Sequence, residues 1–96
     1  MYFTKDGAEK FQEIFHESSD AIRQMNGCSH LALLRDLEDS NHFTTISHWD
    51  SSIYLDEYRN SALFKNVWGR VKPLFSSRPL AHSFQSATPE NLPPLP

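Results

Sequence analysis

"HFTTISHWDS", residues 42–51, is the stretch on which the fold turns. β-Branched and aromatic residues crowd it, which is the composition of a strand. One set of alternating positions holds Phe43, Thr45, Ser47 and Trp49; the other holds His42, Thr44, Ile46 and His48. An antiparallel strand with one wet face alternates cleanly between apolar and polar, and this one does not. Each face therefore needs a cover.

Upstream, "CSHLALLRD" (28–36) reads as a second strand and "LEDSN" (37–41) as the polar turn between them. With the turn centred near Asp39, paired residues sum to about 78. That register sets Leu31 against Ser47, Leu33 against Thr45 and Ser29 against Trp49. On the opposite face it sets His30 against His48, Ala32 against Ile46 and Leu34 against Thr44. Both faces of the hairpin carry aliphatic side chains.

Further outward, "MYFT" is the end of something extended. "DGAE" (6–9) has capping-box spacing, with Asp6 as the expected N-cap and Glu9 reaching back. Phe11, Ile14, Phe15, Ser18, Ala21, Ile22 and Met25 then recur at three- and four-residue spacing, one stripe of an amphipathic helix. Asn26-Gly27 supplies its left-handed stop. After the quoted strand, Asp50 or Ser51 can cap a short helix through "SIYLDEYRN". A second helix restarts near Ser61 and carries Phe64, Val67, Trp68, Val71, Leu74 and Phe75. Pro73 would clash with the carbonyl of Gly69 and so bends or ends it. "PLAHSFQS" (79–86) reads as a last strand. The order is strand, helix, strand, strand, helix pair, strand. It predicts an α+β fold of the ferredoxin-like split βαβ type, an antiparallel sheet with helices on one face.

The totals fit a single domain over residues 1–86, followed by a Pro-rich tail over 87–96. Ninety-six residues with 39% apolar and 12% aromatic content can build one core of modest size. A formal charge of −3, with nine scattered Lys and Arg, argues against nucleic acid as a partner. No apolar run approaches the length of a membrane span, so no membrane partner is expected. One cysteine, Cys28, rules out an internal disulfide and fits a reducing, cytoplasmic setting.

The helices can cover only one face of the sheet. At about 25 cal/mol per Å² of apolar area, leaving Ala32, Leu34 and Ile46 wet forfeits several kcal/mol, comparable with the stability of a small domain. The expected cover is a second copy of the chain laid face to face, a homodimer.

"NGCSHLALLRD", "FTTISHWDS", "YLDEYRNSALFKNVWGRVKPLF" and "RPLAHSF" together resemble the antibiotic biosynthesis monooxygenase family of the dimeric α/β-barrel superfamily. The resemblance runs from Phe11 to Phe84 on the patterns W-x-S, Y-R-x-S, F-x-x-x-W and K-x-L-F. It implies a ferredoxin-like subunit, two sheets paired into a dimeric α/β barrel, and a pocket between sheet and helices. It further implies oxidation of a small aromatic or polyketide-like molecule with no cofactor, or else ligand binding without turnover. Polyketide-oxidising members have an Asn four residues before the strand Trp; Thr45 stands there here. Haem-degrading members have a ligand His in an F-K-x-x-H pattern; in "FKNVW" that place is Trp68, so haem degradation is the least favoured of these activities.

Within that frame Trp49, Tyr58 and His82 are the candidate catalytic residues. Trp49 would wall the substrate, and Tyr58 or His82 would handle a proton. Thr45, Tyr54, Phe64, Trp68 and Phe15 are the candidate substrate-binding residues. For each there is a plainer reading: the aromatics as core, His82 as an interface residue. His30 and His48 are near enough to share a metal. Two ligands without a carboxylate fall short of a closed site, so the expectation is paired interface histidines and no metal. Cys28 has no base in view and reads as a structural thiol.

Overall fold

The strands Cys28–Arg35 (β1) and Phe43–Trp49 (β2) pair antiparallel in the register expected, from His30 opposite His48 to Arg35 opposite Phe43. The computed structural model describes residues 1–87, so the tail expected over 87–96 lies outside the described residues save its first. Around the hairpin stand the helices Lys5–Arg23 (α1), Ser52–Arg59 (α2) and Ala62–Val71 (α3), with a 3-10 turn at Lys72–Leu74.

One pair departs from the expected register. A bulge between Cys28 and His30 sets Cys28, not Ser29, opposite Trp49. Ser29 is the extra residue, and its hydroxyl donates to the His48 carbonyl at 3.3 Å.

The cap of α1 is also corrected. Thr4, not Asp6, is the N-cap, and its hydroxyl accepts from the Gly7 N–H at 3.1 Å. Asp6 sits in the first turn, where its charge favours the helix dipole without capping it. The expected stripe is buried at Phe11, Ile14, Ser18 and Ile22, while Ala21 is exposed. Ser51 caps α2 and Ser61 caps α3. The α-helix ends at Val71, and Pro73 falls in the 3-10 turn, as its missing N–H requires.

The core lies between α1 and one face of the hairpin. Phe3, Ala8, Phe11, Ile14, Phe43 and Val71 are buried together, with Leu33, Val67, Leu74 and Phe75 packed against them. Gly7 lets the start of α1 approach the 3-10 turn, since a Cβ there would stand 2.9 Å from the Leu74 carbonyl oxygen. The N-terminal residues enter the sheet as bridges, Tyr2 with His42 and Phe3 with Phe75. They reach along β2 only as far as Phe43. Beyond it β2 is an edge, and Thr45 and Ser47 are exposed although they share a face with buried Phe43.

The strand expected over 79–86 does not form. The segment has no regular structure, and Leu80 and Phe84 are exposed at 80% and 91%. A lone extended run leaves its backbone groups to water unless another strand's edge receives them. On the second face of the hairpin, Leu34 is 48% exposed and Ile46 38%.

Candidate functional site

Four of the residues expected at a site form one row of rings. Trp49, at the end of β2, stacks on Tyr58 of α2 with centroids 5.1 Å apart. Tyr58 meets Phe64 of α3 edge to face at 5.2 Å. Phe64 stacks parallel to Trp68 one turn on, at 6.1 Å. The row follows from helix geometry and from one tight turn. Asn60 and Ser61 end α2 and begin α3, so Tyr58 and Phe64 emerge side by side. The i, i+4 spacing then brings Trp68 onto the same stripe.

From Trp68 the row runs through Phe75, at 5.5 Å, to Phe3 and Phe11 in the core. Phe15 joins it at the far end, 6.2 Å from Phe11, and so stands with the core rather than beside Trp49. Trp49, Tyr58 and Phe64 are half-buried; Trp68 is 37% exposed. These rings are partly packed and partly open to solvent.

The polar groups in the row are few. The Trp49 indole N–H donates to the Ser47 hydroxyl at 2.9 Å, which supplies the partner a half-buried indole needs. Burial pushes the Tyr58 hydroxyl above its ordinary pKa, and charge repulsion from the neighbouring Cys28 in its thiolate form adds to the shift. At neutral pH Tyr58 is therefore a hydrogen-bond donor, not a base. The Tyr54 ring lies against Gly27, whose φ of 78° only glycine adopts freely and where a Cβ would collide with that ring. Thr45 is exposed on the face of β2 that leads to Trp49.

His82 is not part of this arrangement. It lies exposed on the extended run after the 3-10 turn, with its ring 6.2 Å from Phe84. Sequence reasoning missed Cys28 as a neighbour of Tyr58, because the bulge that places it opposite Trp49 has no signature in the spacing. It also missed two shallow hollows of about 180 and 170 Å³ at the hairpin end of the sheet. Leu34, Asp36, His42 and Thr44 are among the residues around one; Gln12, Arg35 and Asn41 are among those around the other. Neither is lined by a ring of the row. Among the described residues no group of three or more His, Cys, Asp or Glu is placed to hold a metal ion.

Comparison with known proteins supports the same fold. A protein from Bordetella bronchiseptica, provisionally named an antibiotic biosynthesis monooxygenase, superposes with a TM-score of 0.79 at 20% identity over 92% of this chain and 91% of its own. Rv0793 from Mycobacterium tuberculosis gives 0.75 at 21% identity over 91% of each chain. A conserved protein from Methanosarcina mazei Go1 gives 0.75 at 16% identity over 79% of this chain and 75% of its own. At these identities the likeness speaks for the fold alone. No curated protein matches the sequence. The family model described as antibiotic biosynthesis monooxygenase matches residues 1–68, reaching further toward the N-terminus than the motifs do and stopping at Trp68. This match spans more than half of the chain and agrees with the fold: the chain belongs to the antibiotic biosynthesis monooxygenase family.

Proposed function

We propose that the chain is a cofactor-independent monooxygenase acting on a small, electron-rich aromatic or polyketide-like molecule. The observation that carries this reading is the row Trp49–Tyr58–Phe64–Trp68, partly exposed rings that run on through Phe75 into the core. A flat substrate would lie against Trp49 and Trp68, with Phe64 between them and Thr45 and Tyr54 bounding it. Its own carbanion would pass electrons to O₂. The Tyr58 hydroxyl, protonated at neutral pH like any phenol and more firmly so for its burial, would donate a hydrogen bond to the oxygen on which charge develops. His82 enters this scheme only as a proton carrier on a segment that would have to fold toward the row.

The active form we propose is a homodimer. A second copy covers the face that bears Leu34 and Ile46 and closes two sheets into a barrel. Oxygen uptake with a panel of anthrones and hydroquinones tests the activity. Uptake is expected with at least one substrate and is expected to fall at least tenfold in Trp49→Phe, which removes the indole bond to Ser47. No uptake across the whole panel would overturn it.

One observation favours a second reading, binding without turnover. The row offers a donor in Tyr58, yet among the described residues no histidine or carboxylate is hydrogen-bonded to that hydroxyl. Native mass spectrometry of freshly purified protein separates the two readings, since a carried ligand appears as added mass in the absence of any oxygen uptake. Haem degradation is disfavoured by Trp68 in the ligand position, and haem titration is expected to leave the Soret band unshifted.

A further inference from the structure

His30 and His48 lie directly opposite each other on β1 and β2, with ring centroids 4.9 Å apart and planes tilted by 43°. Both are exposed, on the face of the sheet away from the helices. From the sequence the two were expected to be paired interface histidines without a metal. With metal–imidazole bonds of about 2.0–2.1 Å and a bond angle near tetrahedral, two rings on one ion have centroids about 5 Å apart. The observed separation meets that requirement.

The strands hold the pair in place at both backbones. The Ser29 hydroxyl donates to the His48 carbonyl at 3.3 Å, and the Cys28 thiol reaches the His30 carbonyl at 3.7 Å. Both bonds come from the bulge that fixes the register at this end of the hairpin. Among the described residues neither imidazole has a hydrogen-bond partner of its own. Two facing imidazoles repel when both carry a charge. A shared cation turns that liability into a cross-link between the strands.

We infer that His30 and His48 form a two-nitrogen chelate for a divalent transition metal of the imidazole-binding class, such as zinc, nickel or copper. The remaining coordination positions face the side that bears Leu34 and Ile46, so they are open to water in a single chain and to the same pair of a second copy in the proposed dimer. The site stands apart from the aromatic row and does not depend on whether the chain oxidises a substrate.

Calorimetric titration of zinc chloride into the full chain, stripped of metal and free of any affinity tag, tests the inference. Saturable binding is expected, weakened at least tenfold in His30→Ala and in His48→Ala and unchanged in His16→Ala, an exposed histidine of α1. His30→Gln serves as a second variant of similar size, and far-UV circular dichroism checks that each variant is folded. Copper(II) bound to the native chain is expected to show hyperfine splitting from two nitrogens, one of them lost in each single variant. Absence of saturable zinc binding, or an affinity unchanged by both substitutions, overturns the inference.

Discussion

Phe43 and Tyr58 mark the two things a ring does in this chain. Phe43 is 2% exposed and meets Phe3 and Phe11 at 6.1 and 5.6 Å, so it is pure core. Phe43→Ala is expected to cost about 3–5 kcal/mol in urea unfolding, because a rigid three-ring cluster cannot collapse into the gap. Tyr58 has its ring packed and its hydroxyl at work. Its raised pKa means the folded state holds that proton after an unfolded phenol, near 10.0, has lost it. The stability linked to Tyr58 is thus full below the ordinary phenol pKa and falls as pH rises through the higher folded value. A late phenolate step in the alkaline ultraviolet titration is expected, and Tyr58→Phe should abolish it. Gly27→Ala is expected to destabilise by more than about 1 kcal/mol, since φ of 78° and the Tyr54 ring both oppose a Cβ.

At the scale of elements, caps and turns set the boundaries. Thr4→Ala should cost about 1 kcal/mol while Asp6→Ala costs less, which distinguishes the observed cap from the one that "DGAE" suggests. The hairpin turn is pinned by Asp36, whose carboxylate stands 2.8 Å from His42 Nδ1, with the Tyr2 ring stacked on His42 at 3.9 Å. The His42 hydrogen bond, and then the Glu38 backbone N–H, hold Asp36 below its ordinary pKa of 3.8. A depressed carboxylate contributes stability above the unfolded pKa and loses it as pH falls through the folded one. The acid limb of the stability curve is therefore expected to flatten in Asp36→Asn, measured as urea midpoints between neutral pH and about pH 2. The run 79–86 shows the limit of such local rules: its alternation of Leu80, His82 and Phe84 is that of a strand, but no strand forms without an edge beside it.

For the whole molecule the decisive quantity is the uncovered face of β1 and β2. Leu34 and Ile46 are 48% and 38% exposed, whereas Leu31, on the helix side of the same sheet, is 8% exposed. Sedimentation at micromolar concentration is expected to show a dimer, and Ile46→Asp to shift it to monomer with the hairpin intact. A native chain that sediments as a monomer would remove the proposed barrel and leave the aromatic row on a single subunit. Among the described residues no helix is long and apolar enough to cross a membrane.

The hairpin register was legible in the sequence from Leu31 to Phe43, because period-two alternation on both strands admits few alignments once the polar turn is located. The helices were legible too, from apolar spacing and Pro73, though the cap of α1 was not. Local chemistry dictates those features, and local chemistry is what a sequence displays. Three features came only from the tertiary structure. The Ser29 bulge brings Cys28 to Tyr58, because an extra residue in one strand leaves no mark on spacing. The turn between α2 and α3 aligns Trp49, Tyr58, Phe64 and Trp68 into one row, because stacking depends on how separate elements meet. Residues 79–86 pair with no strand despite their alternation, because backbone hydrogen bonds across strands are made by position in space, whatever the order along the chain.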